Sequence, residues 1–258
     1  MEAAVWDPQR YLLFGDERAR PFHDLMSRVA AQEPAEVVDL GCGPGNLTAT
    51  LAQRWPNARV VGVDSSEEMV AAAREVEGIE VAHADLREWS PDRAVDVLVS
   101  NATLQWVPDH LDLLPKLVAA VAPGGWFAFQ VPGNFTEPSH VLLYQLADSS
   151  RWSSRIGREH VARPASYEPG EYLAVLAGLA CAVQVWETTY FHVLPGEDAV
   201  LDWVSGTALR PVLATLDDDE QAEFVAEYGR LLRTAYVHQR YGTVLPYRRI
   251  FAVAQRSD

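Results

Sequence analysis

Short apolar runs alternate with stretches of helical period along the first half of the chain. Val37 to Asp39, with Glu36 before it, reads as a buried strand that ends in a carboxylate and enters "GCGPG" directly. Helical periodicity follows over Asn46 to Arg54 and stops at "WPN", where Pro56 disfavours continuation. Arg59 to Asp64 predicts a second strand, and Ser65-Ser66-Glu67-Glu68 a helix start with a capping hydroxyl and early acidic residues. Ile79 to Ala82 and Ala94 to Ser100 predict further strands, Leu111 to Val121 a helix stopped by "APGG", and Trp126 to Val131 a strand. Strands that are apolar on both faces and alternate with helices imply an α/β fold with a mainly parallel sheet covered by helices.

The pattern changes after Pro132-Gly133. Asn134 to about Ser166 is rich in His, Arg, Ser and Tyr and predicts a helical excursion over one end of the sheet. Tyr172 to Leu179 reads as a helix, "CAVQVWETTYFHVL" as a strand, "EDAVLDWVSGTALRPVLATL" as helical, Asp217 to Gln239 as an amphipathic helix and "PYRRIFAVAQR" as a terminal strand. The expected organisation is one domain over 1–258: a cofactor-binding core at 30–133, a lid or cap from 1–29 and 134–245, and the remaining strands near 181–194 and 246–256.

The glycines narrow the chemistry. Gly41, Gly43 and Gly45 are spaced G-x-G-x-G, and Asn46 stands where the dinucleotide fingerprint has its third glycine. A diphosphate clasp is therefore a poorer fit than a turn whose bare backbone lets a nucleoside or an amino-acid tail approach. Asp64 follows Gly41 by 23 residues, the interval for a carboxylate that accepts ribose hydroxyls. Asp85, after the third strand, suits an adenine amino group, and Asp39 suits a cationic part of the same ligand. Three acidic strand ends around a glycine turn describe a nucleoside with a positive charge.

Composition removes other classes. The 258 residues are 48% hydrophobic, enough for a substantial core, and carry a net charge of -15 with no basic run to follow a phosphate backbone. No nucleic-acid partner is expected, and an anionic substrate would need local arginines. Cys42 and Cys181 are too few for a disulfide framework, and the scattered histidines form no metal-ligand pattern. The opening residues lack a signal-peptide pattern and no apolar stretch is long enough for a membrane span, so a cytoplasmic protein without a membrane partner, monomeric or weakly homo-oligomeric, is expected.

"VVDLGCGPGNLTATLAQRWPNARVVGVDSS" resembles the first motif of the S-adenosylmethionine-dependent methyltransferases, and Asp64, Asp85-Leu86 and Asn101 match the later cofactor motifs of that family. The resemblance implies a Rossmann-like class I fold with a seven-stranded sheet, its last strand antiparallel, and a helical substrate cap. It places Asp39 and Gly41 at the methionine part, Asp64 at the ribose, Asp85 and Leu86 at the adenine, and Asn101 and Ala102 at the tail and sulfonium. Gly43, Gly45, Ser65, Met69 and Gln105 complete the candidate cofactor set. "WDPQRYLLFGDERARPFHDLMSRV", "NATLQWVPDH", "EPSHVL", "TTYFHVLP" and "DWVSGTALRP" further resemble the trans-aconitate 2-methyltransferases. That family's reaction moves a methyl group from S-adenosylmethionine to a carboxylate of a planar tricarboxylic acid.

A carboxylate acceptor is ionised at neutral pH and needs no general base, so approach geometry and desolvation carry the catalysis. Spectator carboxylates call for guanidinium or hydroxyl clamps. The candidates are Tyr11, His140, Arg151, Tyr190, His192, Arg210 and Arg249. Arg210 interrupts the apolar "GTALRPVL", Arg151 competes with the other arginines of "DSSRWSSRIGR", and Arg248 is the alternative to Arg249. Trp106, after the Asn101 loop, is either a wall of the transfer site or core. The rival readings are a methyltransferase for another small acid or metabolite, an NAD-dependent oxidoreductase, disfavoured by Asn46, and a non-catalytic cofactor-binding protein.

Overall fold

The computed structural model describes residues 15–157 and 165–257, with the side chains of 15–18 excluded. Tyr11 lies outside the described residues. The first half of the chain builds α1 (Gly15–Met26), β1 (Glu36–Leu40), α2 (Asn46–Arg54), β2 (Arg59–Asp64), α3 (Glu67–Ala73), β3 (Glu80–His83), β4 (Val95–Asn101), α4 (Leu114–Ala120) and β5 (Val121–Pro132). The second half adds α5 (Pro138–Ala147), α6 (Ser153–Ile156), α7 (Pro169–Ala177), β6 (Cys181–Leu194), α8 (Ala199–Ser205), α9 (Arg210–Leu213), α10 (Asp218–Ala235) and β7 (Thr243–Arg256).

One seven-stranded sheet runs β3-β2-β1-β4-β5-β7-β6. The pairs among β1 to β5 are parallel, and β7 is antiparallel to both of its neighbours, β5 and β6. This is the sheet expected from the motif resemblance, with the last strand reversed. Strand alternation divides the core. Val38, Leu40, Val61, Val63, Leu98, Phe127, Phe129, Ile250 and Ala252 face α4 and α7, which contribute Leu117, Val118, Tyr172 and Leu176. Val37, Val60, Val97, Val99, Ala128, Phe251 and Val253 face the other way, against Phe22, Leu25 and Met26 of α1 and Leu51 of α2.

A separate apolar cluster joins Leu143 and Leu146 of α5, Ile156 of α6, Trp203 of α8, Val212 of α9 and Phe224, Tyr228 and Leu232 of α10 to Leu194 and Leu245 of the sheet. The helices that follow Gly133 thus pack on one another and on the ends of β6 and β7. Asp217 and Glu220 start α10 with a reciprocal capping box, which satisfies two N–H groups that the first turn leaves unpaired.

Three local expectations shift. The helix expected over Leu111 to Val121 is a 3-10 turn at His110–Leu113 followed by α4, because Pro115 sets the second position of the new helix. Val121 already belongs to β5, which starts ahead of Trp126 through an irregularity between Val95 and Val97 in the β4 register. The helical stretch around "SGTALRP" breaks into α8 and α9, and Gly206 caps the first of them.

Candidate functional site

The glycine turn sits at the open end of β1. Gly41, Gly43 and Gly45 have φ of 80°, 56° and 81°, the left-handed region in which a side chain is strained. Their roles differ. A Cβ on Gly41 would lie 2.0 Å from Thr103 Oγ1, whereas one on Gly43 would meet nothing within 4 Å among the described residues. Gly41 is bare because the protein fills its space, and Gly43 is bare toward an open volume. The backbone N–H groups of Gly41 and Cys42 donate to Val63 O at 2.7 and 3.1 Å, which pins the turn to β2.

Asp64, the last residue of β2, holds the same turn from the side. Its carboxylate accepts from Gly43 N and Ser66 N, each at 2.9 Å. Each oxygen retains a lone pair for a further donor. Ser65 is exposed and its carbonyl meets His83 Nε2 at 3.0 Å, while Met69 is buried in the first turn of α3.

Asp39 is 2% exposed, and Thr48 Oγ1 donates to its Oδ2 at 2.6 Å. The other oxygen, Oδ1, is buried without a hydrogen-bond partner among the described residues. Burial, opposed by the Thr48 bond and reinforced by the charge of Asp64, pushes the Asp39 carboxyl up to about 7. A buried carboxylate oxygen left unmatched is costly, and a cationic ligand group would supply the missing partner. The turn and this orphaned oxygen together fit a ligand that brings a nucleoside and a positive charge.

Asp85 follows β3 and accepts from Arg87 Nε at 3.0 Å, a bond that holds its carboxyl below the usual range. Leu86 beside it is buried. Asn101 ends β4, and Ala102 takes φ of 54°, a strained conformation for alanine, with its N–H donating to Gln130 O at 3.0 Å. Gln105 Nε2 donates to Ala102 O at 2.6 Å, and half-buried Trp106 completes the same 3-10 turn. The loop after β4 is therefore folded back against the glycine turn through Thr103.

The acceptor candidates divide sharply. Arg249 is 6% exposed on the α1 side of β7. Its Nη1 donates to Gln130 Oε1 at 3.4 Å, its guanidinium lies 4.5 Å over the Tyr247 ring, and Nε has no partner among the described residues. No carboxylate among the described residues pairs with it. Arg248 points to the opposite face and pairs with Glu168 and Glu187 at 2.7 and 2.5 Å, so the alternation of β7 separates the two arginines that the sequence left as alternatives.

Tyr190 and His192 share the Arg249 face through the β6–β7 register. Tyr190 donates to Asp24 Oδ2 at 2.6 Å, and burial, followed by that bond, raises its phenol. His192 stacks on Trp203 with ring centroids 4.8 Å apart. His140 is buried in α5 with its ring edge-on to Phe135, and burial lowers it to about 4, so it is neutral at physiological pH. Arg210 opens α9 half-buried; its charge, after the Ser66 hydroxyl, helps hold Glu68 below its ordinary range. That influence sets Arg210 near the start of α3.

Arg151 is not brought to this group. It is half exposed and pairs with Glu223 and Glu227 of α10 at 2.5 and 3.3 Å. Sequence reasoning missed Thr48, Gln130 and Tyr247. Gln130 carried the best available signal, as the lone polar residue at the end of "WFAFQVP", in register with Asn101.

The strand order, the glycine turn and the acidic strand ends define a class I S-adenosylmethionine-dependent methyltransferase. The profile of a family described as "Methyltransferase domain" matches residues 37–125. Relatives named trans-aconitate 2-methyltransferase extend the likeness over the whole length: that of Streptomyces avermitilis is 52% identical over 99% of both chains, and that of Rhodococcus jostii 49% over 97% of this chain and 99% of the other. The chain belongs to the trans-aconitate 2-methyltransferase family.

Solved structures bear the same fold at low identity. The Haemonchus contortus phosphoethanolamine N-methyltransferase 2, in complex with S-adenosyl-L-methionine, is 15% identical with a TM-score of 0.55, covering 93% of this chain and 53% of that one. The plantazolicin methyltransferase BpumL, in complex with S-adenosylhomocysteine, is 13% identical with a TM-score of 0.52, covering 97% and 85%.

Proposed function

We propose that the protein transfers a methyl group from S-adenosylmethionine to one carboxylate of trans-aconitate, giving the monomethyl ester and S-adenosylhomocysteine. The observation that carries the acceptor half is Arg249, a buried guanidinium with no protein carboxylate beside it among the described residues, on the same sheet face as Asn101. A cation held this way is stabilised by an anion that arrives as substrate. The shared name of relatives near half identity supports trans-aconitate as that anion.

When bound, S-adenosylmethionine supplies an electrophilic methyl group on a positively charged sulfur. Asp39 Oδ1 would accept from its ammonium, Asp64 from the ribose hydroxyls, and the open face of Gly43 would admit the nucleoside. Asp85 would share its carboxylate between Arg87 and the adenine amino group, with Leu86 against the ring. On the acceptor side Arg249 holds a spectator carboxylate, and the stacked Tyr190, His192 and Trp203, with Tyr247 tilted against them, wall off water. No side chain has to remove a proton, because the attacking carboxylate is already ionised. Trp106 and Arg210 are assigned to the rim of the same cleft, and the helices of 134–245 to a cap over it.

The proposal includes a cytoplasmic setting, in keeping with two free cysteines, and a monomer or weak homo-oligomer that acts on a small anion, without a nucleic-acid or membrane partner. No helix among the described residues is long and apolar enough to cross a membrane. The test is a methyl-transfer assay against a panel of di- and tricarboxylates, with product mass and ester position determined. Turnover of trans-aconitate well above the other acids is expected; equal or better turnover of an unrelated acceptor would redirect the assignment.

A further inference from the structure

Gln130 is a buried amide in an apolar strand, 1% exposed, between two groups that face it from opposite sides. On β4 its register partner is Asn101, and Gln130 Nε2 donates to Asn101 Oδ1 at 2.7 Å. From β7, Arg249 Nη1 reaches Gln130 Oε1 at 3.4 Å. A buried amide is tolerated only when both ends are matched, and this one is.

The direction of the chain is not arbitrary. A guanidinium has donors and no acceptor, so the end of Gln130 that faces Arg249 must be its oxygen. Nε2 must then face Asn101, and Asn101 must answer with Oδ1. Its remaining group, the Nδ2 donor, is left pointing away from Gln130, and it makes no hydrogen bond within the described residues. Asn101 is half-buried at the open end of β4, beside the strained Ala102. One permanent cation on β7 thus sets the polarity of an amide two strands away.

We propose that Gln130 is a positioning residue: it relays the donor-only character of Arg249 to Asn101 and so fixes the Asn101 amide with its N–H groups toward the cofactor cleft, where they serve an acceptor atom of the methyl donor. The inference rests on the assignment of Asn101 to the cofactor site. It makes the acceptor-side cation and the cofactor-side donor parts of one polar chain. Without Gln130 the Asn101 amide could turn over and present oxygen to the same ligand atom.

The test compares S-adenosylhomocysteine affinity by calorimetry in wild type, Gln130→Glu, Asn101→Ala and the double variant. In Gln130→Glu one carboxylate oxygen pairs with Arg249 and the other demands a donor, so Asn101 turns its Nδ2 inward. Affinity is expected to fall about tenfold in the wild-type background, the loss of one well-placed donor, and less than about twofold in the Asn101→Ala background. The acceptor KM rises in Gln130→Glu whatever Asn101 does, because the glutamate occupies the guanidinium; cofactor affinity is therefore the discriminating readout.

A purely structural Gln130 would change thermal stability and leave affinity alone, and equal losses in both backgrounds would also overturn the relay while leaving the cofactor site in place. Wild-type protein that fails to bind S-adenosylhomocysteine would overturn both. If Gln130→Glu does not fold, the side-chain amide NMR signals of wild type decide: the Asn101 Nδ2 protons should exchange readily without ligand and slow on adding S-adenosylhomocysteine, and signals indifferent to the ligand would overturn the relay.

Discussion

Arg248 and Arg249 are neighbours on β7, yet Arg248 is clamped between Glu168 and Glu187 on one face of the sheet while Arg249 is buried on the other without a carboxylate among the described residues. One residue of register therefore separates an ion-paired cation from the buried one proposed to hold the substrate. Substitution should divide them. Arg249→Met is expected to raise the acceptor KM by at least about tenfold, as loss of a charge-assisted clamp implies, and Arg248→Met to change it less than about twofold. Initial rates over a range of trans-aconitate check this; similar KM values in the two variants would remove Arg249 from the clamp. Arg151→Ala, which breaks an exposed pair with Glu223, should behave like Arg248→Met.

Asp39 links cofactor binding to pH. Its carboxyl is raised to about 7, so the ligand-free protein takes up a proton there that the unfolded chain, with an ordinary value of 3.8, does not. Its contribution to stability accordingly declines as pH rises from 3.8 to about 7. A cationic ligand selects the ionised form, so affinity for S-adenosylmethionine should increase with pH up to about 7 and then level off. Asp39→Asn should bind more weakly with a flat profile, and should melt about 2 °C or more higher at pH 8 without ligand. Calorimetric titrations between pH 5.5 and 7.5, with melting curves beside them, measure both effects.

Gly41 and Gly43 should fail differently as alanines. Gly41→Ala drives a methyl group into Thr103 and should lower the melting temperature by several degrees. Gly43→Ala meets no atom of the described residues, so it carries only the backbone cost of about 1–2 kcal/mol for a left-handed residue. Its methyl group points into the volume assigned to the cofactor, and affinity for S-adenosylhomocysteine should drop by more than about tenfold. A Gly43→Ala variant with unchanged affinity would put the ligand elsewhere.

His140 predicts an acid-labile packing of α5. Burial lowers it from 6.5 to about 4, so its neutral form is favoured by folding. That contribution is fully present above pH 6.5 and is lost as pH falls toward 4, amounting to roughly 3 kcal/mol at most. Denaturant titrations between pH 7 and 4.5 should show wild type losing stability relative to His140→Leu as the pH drops. Parallel curves would show that His140 does not titrate as a buried group. Since the group is neutral at pH 7, it should add no ionisation to the kcat profile above pH 5.

The strands and helices of the first half and the glycine turn were legible because both are local. Period-two and period-3.6 patterns mark the elements from Val37 to Val131, and positive φ at Gly41, Gly43 and Gly45 is a demand that glycine answers within a few residues of chain. Asp39, Asp64 and Asp85 stand at strand ends, and parallel strands in a known order bring their carboxyl ends to one edge.

The acceptor side was not local. Whether Arg248 or Arg249 faces inward depends on how β7 registers with β5 and β6, and β7 is separated from β5 in the chain by the helices and the strand that follow Gly133. Gln130 acquires its meaning from Asn101 and Arg249, residues 29 and 119 positions away. Local periodicity can state that an element exists and which residue types it carries. Which of two adjacent charges loses its water, and which amide atom must face which neighbour, is set by contacts across the sheet, because burial and donor–acceptor matching exist only once distant strands are side by side.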